Sequence, residues 1–143
     1  MAEYVANAIQ TVADGQNVLL ETSIPCNRGY VIHRNGAGIL TLRGIVNNPC
    51  SCFARYQVTY NGNIAIPTGG TVEEISVALA INGEPIQTSR ARQTPAAVEQ
   101  YSNVTSPAII DVPRGCCVTV AVENTSGQAI DVQNSNLTVS RIA

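Results

Sequence analysis

PRGCCVTVAVEN, residues 113–124, is the stretch that decides the fold. Pro113, Arg114 and Gly115 spell a turn, and from there Val118, Val120 and Val122 alternate with Thr119, Ala121 and Glu123. Successive side chains of a strand point to opposite faces, so one apolar residue in every two describes a half-buried β-strand. ISVALAI at 75–81 repeats the device, with Ile75, Val77, Leu79 and Ile81 on one side and Ser76, Ala78 and Ala80 on the other. Ile130 and Val132, then Leu137 and Val139, carry it towards the C-terminus. The apolar residues are mostly Val, Ile and Ala, and β-branched side chains suit a pleated surface.

Turn chemistry separates these runs. Asp14-Gly15, Asn35-Gly36, Asn61-Gly62 and Asn82-Gly83 are dipeptides that accept positive φ cheaply. Pro67–Gly70, Pro113–Gly115 and Ser126-Gly127 add further breaks. Short strands between evenly spaced turns predict an all-β antiparallel sandwich, and no linker or repeat divides residues 1–143. Helix is expected only for a turn or two in Thr94–Gln100, after Pro95, and Gly44–Cys52 reads as a long loop.

Composition removes several function classes. Of the 143 residues 45% are hydrophobic and 13% charged, which is globular. The net charge is −2 and every basic residue except His33 is an arginine, without a basic, aromatic-laced stripe for nucleic acid. A chain without lysine has no phosphate-loop, Schiff-base or general-base lysine. The apolar run Val77–Ile81 is far short of the about 20 residues that cross a bilayer. Met1–Gln10 has no basic residue and no sustained apolar run, so cytoplasmic synthesis is expected. The same ten residues lack breakers and are expected to act as an N-terminal arm.

The chemistry-bearing residues do not assemble into a recognisable catalytic motif. Cys50-Ser51-Cys52 and Cys116-Cys117 are too closely spaced for a usual zinc site, whose paired ligands sit about two to four residues apart. A disulfide of Cys26 with Cys116 or Cys117 is compatible with release into an oxidising medium, and the odd count leaves one thiol over. His33 is the single histidine and lacks a nucleophile motif; Glu73 and Glu74 are adjacent, so on a strand their carboxylates diverge. No metal, no cofactor and no catalytic residue are expected. The sequons at Asn103, Asn124 and Asn136 are without consequence where no secretory route exists. Arg28, Arg34 and Arg43 crowd one stretch, and are either a dock for an acidic surface or an ordinary solvated face.

Taken in order, VANAIQTVA, NVLLETSI, GILTLRG, ARYQVTY, ISVALAINGEPI, PRGCCVTVAVEN and NLTVSRI resemble the strands of the jelly-roll domain shared by tumour necrosis factor and the globular head of complement C1q. The text from Ile24 to Ala143 is similar to short proteins of bacteriophages and their Gram-positive hosts, which the family places in head decorations, fibres and spore-surface filaments. The chain departs from secreted C1q-type proteins in lacking a collagen-like repeat and in carrying Cys50 and Cys52 in an added loop. The resemblance implies a homotrimer packed around an axis of aromatic and aliphatic side chains. Tyr56, Val58 and Tyr60, alternate residues of one strand, then line either that axis or the sandwich interior. Ala78 and Ala80 offer a small-residue face to another sheet or subunit. The expected function is non-enzymatic: a trimeric virion component that decorates a head or tips a fibre and contacts the major capsid protein or other virion proteins. The alternatives are a bacterial surface or spore-coat module and a glycan-binding adhesin.

Overall fold

A computed structural model describes residues 2–24, 31–33, 36–44, 52–115 and 117–142. The strands are β1 (Ala2–Ala6), β2 (Gln10–Val12), β3 (Thr22–Ile24), β4 (Val31–His33), β5 (Ile39–Arg43), β6 (Phe53–Ala65), β7 (Ile75–Ile81), β8 (Glu84–Pro85), β9 (Ala91–Gln93), β10 (Ser102–Pro113), β11 (Cys117–Asn124) and β12 (Ile130–Arg141). They form two sheets, ordered β10-β6-β12-β1-β3 with β2 beside β12, and β4-β5-β11-β7-β8 with β9 beside β7. All of these pairings are antiparallel.

The period of two becomes layers. On β6, Ala54, Tyr56, Val58, Tyr60 and Ile64 face inward, each 0% exposed. Leu40 and Leu42 of β5, Ile75, Val77 and Leu79 of β7, and Val118, Val120 and Val122 of β11 meet them from the second sheet in one core cluster. Each fully buried Val, Leu or Ile contributes about 1.5–3 kcal/mol relative to exposure.

Buried polar groups close the ends of the sandwich. At one end the Asn124 carboxamide, 0% exposed, donates to the carbonyls of Val12 (2.9 Å) and Gln128 (2.8 Å) and accepts from the Ser126 N–H (2.9 Å). Along the side, the 3-10 turn Gln87–Ser89 presents Ser89, whose hydroxyl accepts from the Leu79 N–H at 3.0 Å and donates to the Ile86 carbonyl at 2.7 Å. The Ser89 carbonyl takes the hydroxyl proton of buried Ser106 on β10, so the turn links the two sheets.

Three expectations are corrected. Asn61-Gly62 is no turn: Gly62 lies within β6, where the Tyr60 ring lies against it. A Cβ at Gly62 would collide with the Tyr60 hydroxyl and stand 2.9 Å from Cζ. The start of the chain is no arm either, because β1 pairs with β12 on one side and β3 on the other, and Tyr4 is 1% exposed. Thr94–Gln100 forms turns without helix; Pro95 is buried, Glu99 adopts φ 58°, and the Gln100 side chain accepts the Ala96 N–H. Asn82-Gly83, by contrast, makes the hairpin between β7 and β8 with φ of 51° and 85°. Those two positive values are what a tight type I′ turn demands.

Candidate functional site

The outer face of the sheet containing β6 is the surface most suited to a partner. Register sets its rows. Ile109 of β10 lies opposite Gln57 of β6, and Gln57 opposite Ser140 of β12. The next row is Pro107, Thr59 and Thr138; the next is Thr105, Asn61 and Asn136. Across these three strands the rows carry no charged side chain, Glu3 of β1 continuing the Thr138 row beyond them, and Ile109 is 64% exposed. Towards the Pro113 end, Arg55 and Asp111 pair at 2.7 and 3.0 Å, and the guanidinium stands 5.0 Å from the Phe53 ring centroid. The hydrogen bond from Arg55 holds the Asp111 carboxyl below the usual carboxylate range, and Asp111 in turn raises Arg55. Phe53 and Ile142 are exposed beside them.

Towards the other end a row of carboxamides crosses the sheet. Asn103 donates to Asn63 (3.3 Å), Asn63 to Asn134 (3.3 Å), and Asn134 to Asn7 (2.6 Å). Asn134 has φ 56° and sits in the irregularity of β12 between Gln133 and Asn136. That bulge also turns Ser135 inward, where its hydroxyl meets the buried Tyr60 hydroxyl at 2.9 Å. Burial pushes the Tyr60 hydroxyl up to about 12. Sequence reasoning did not foresee the bulge, although a signal existed: the apolar residues change parity between Val132 and Leu137.

Of the two places expected for Tyr56, Val58 and Tyr60, a trimer axis or the sandwich interior, the structure gives the interior: all three point between the sheets and have no exposed area to offer. Their alternates Arg55, Gln57, Thr59 and Asn61 occupy the outer face instead. Ala78 and Ala80 lie on the outer side of β7 but are 1% exposed within a single chain, so they are not an open face. Arg43 and Cys117 are opposite one another in register and exposed. Exposed Cys52 precedes β6, its carbonyl accepting the Arg114 N–H at 2.9 Å. Cys26, Cys116, Arg28 and Arg34 lie outside the described residues. The His33 Nε2–H donates to the Ala37 carbonyl at 2.9 Å, and its ring centroid is 4.8 Å from that of Tyr4. Among the described residues no cluster of His, Cys, Asp and Glu is arranged to hold a metal ion, and no helix is long and apolar enough to cross a membrane.

No family model and no curated protein matches the sequence. Solved structures do match. The globular domain of a zebrafish complement 1qA protein has a TM-score of 0.62 at 11% identity, over 96% of this chain and 94% of that one. The Eiger TNF of S. frugiperda gives 0.66 at 12% identity, over 100% and 92%. Murine APRIL gives 0.55 at 9%, over 96% and 98%. The architecture is therefore that of the C1q and TNF jelly rolls, and the likeness is one of fold.

Proposed function

We propose that this C1q/TNF-type jelly roll is a non-catalytic structural module that assembles into a homotrimer through the outer face of the β10, β6 and β12 strands, and that the trimer decorates a virion. The observation that carries the reading is the composition of that face: rows of Thr, Asn, Gln and Ser around an exposed Ile109, with the Arg55–Asp111 charges neutralising each other. Hydroxyls and amides on a flat sheet can exchange water for partners across an interface, whereas an unpaired charge resists burial. Neighbouring folds of the C1q and TNF type support self-association.

Size-exclusion chromatography with light scattering tests the assembly. The chain is expected at three times its monomer mass, and Ile109→Arg at the monomer mass with an unchanged β-type circular dichroism spectrum. A wild-type chain that stays monomeric at millimolar concentration would overturn the trimer.

The virion setting is supported by the resemblance of Ile24–Ala143 to short phage-encoded proteins. Repetition on a symmetric shell lets each contact with the major capsid protein be weak. Density of the intact particle, or capsid and portal genes beside this one, checks it; sporulation or cell-wall genes there instead would place the module on a bacterial surface.

A further inference from the structure

β10 is a long edge strand. It ends the order of its sheet, pairs with β6 on one side, and runs for 12 residues, Ser102–Pro113. The other edge strands among the described residues, β3, β4, β8 and β9, have two or three residues each. A long strand with one unpaired side is a template on which another chain can add itself, whereas a very short one is a poor template. The sequence sharpens the hazard, because Ala108, Ile109, Ile110 and Val112 make this edge apolar and β-prone.

Register fixes which backbone groups of β10 face outward. Its pairing with β6 runs unbroken from Ser102 opposite Ile64 to Pro113 opposite Phe53. One step further, the Arg114 N–H donates to the Cys52 carbonyl at 2.9 Å. Backbone bonds of an antiparallel pair recur at alternate residues. The even-numbered residues of β10 therefore bond β6, and the odd-numbered ones, from Asn103 to Pro113, turn their backbone groups away from it. Pro107 and Pro113 both fall in the outward set. A proline there costs the ladder no hydrogen bond, so both fit within one regular strand. Between them Ile109 and Asp111 keep outward N–H groups that have no backbone partner among the described residues, and both residues are exposed. At Ser106, by contrast, the 3-10 turn Gln87–Ser89 comes against the strand, its Ser89 carbonyl accepting the Ser106 hydroxyl.

We propose that Pro107 and Pro113 close the free edge of β10 to strand addition, confining association between copies of this chain to other surfaces. Each proline removes a donor that an added strand needs and puts a ring carbon where its backbone would lie. An incoming strand of ordinary length, about six residues, cannot lie along Pro107–Pro113 without facing at least one of them. The device belongs to the rim of the sheet and holds whether or not the outer face forms the trimer.

Hydrogen exchange and sedimentation velocity on the full chain test it together. In the wild type the amides at positions 109 and 111 are expected to exchange as unpaired groups, while those of Ile110 and Val112, bonded to β6, stay protected. The same pattern is expected in Ile109→Arg, which separates shielding by a trimer from pairing at the edge. Pro107→Thr with Pro113→Thr restores both donors. That chain is expected to keep the wild-type urea transition, to grow on standing into species of rising mass that bind thioflavin T, and to protect positions 109 and 111 within them. Pro107→Thr alone is expected to grow more slowly, and decides the matter if the double variant lacks a cooperative urea transition. A folded double variant that stays at the wild-type mass would overturn the proposal, as would growth that leaves positions 109 and 111 fast to exchange. Protection of both positions in the wild type and in Ile109→Arg alike would also overturn it, because the edge would then already be occupied.

Discussion

Gly62 and Tyr60 act as one structural unit. The glycine leaves room for an aromatic ring to lie along its own strand, and the ring's hydroxyl then reaches Ser135. Gly62→Ala is expected to destabilise by about 2–3 kcal/mol, the cost of overpacking a closed interior, measured by urea unfolding. Tyr4 presents the reverse case. Its hydroxyl is buried with no hydrogen-bond partner among the described residues, and burial pushes it up to about 12. Tyr4→Phe removes an unsatisfied group while keeping the ring, so a gain of about 1 kcal/mol is expected. The pH dependence follows in sign. In the unfolded chain both tyrosines ionise near 10, while Tyr4 and Tyr60 in the fold hold their protons to about 12. Between those values the unfolded state sheds protons that the native state keeps, so stability is intact below pH 10 and falls as pH rises to 12. Thermal unfolding between pH 9 and 12 should show a shallower loss in Tyr4→Phe than in the wild type.

At the scale of the element, β12 decides most. It lies between β6 and both β1 and β2, and its bulge lets Val132 and Leu137 face the same interior although their numbers differ in parity. Deleting Asn134 would restore strict alternation and leave Leu137 and Val139 facing the interior, because the bulge absorbs that one extra residue. A cooperative unfolding transition is expected to survive the deletion, measured by urea denaturation. The exposed carboxamide row from Asn103 to Asn7 carries little stability of its own: Asn63→Ala should shift unfolding by no more than about 0.5 kcal/mol. Strand identities were legible for β7 and β11 because alternating Val, Ile and Leu leave one reading. The Asn61-Gly62 pair was misread because a dipeptide cannot reveal that a ring two residues earlier will lie against the glycine.

For the whole molecule, the proposed sheet-face trimer is expected to persist at high salt and to give a melting temperature that rises with protein concentration, read by thermal unfolding across a dilution series. The candidate face itself was half legible. Alternation on β6 divided Tyr56, Val58 and Tyr60 from Arg55, Gln57 and Thr59, but it could not say which set faced the core. The second sheet settles that: Leu40, Leu42, Leu79 and Val120 stand ready to cover the aromatic side.

Residue order alone determined that this chain is a β-sandwich of antiparallel strands, because a period of two and glycine turns are local properties that each short segment carries by itself. Tertiary structure alone decided which face of each strand is buried, where β12 slips its register, and that the Ser135 hydroxyl meets the Tyr60 hydroxyl across 75 residues of chain. Those outcomes depend on pairing between residues far apart in the chain, and no local pattern encodes the distance between them.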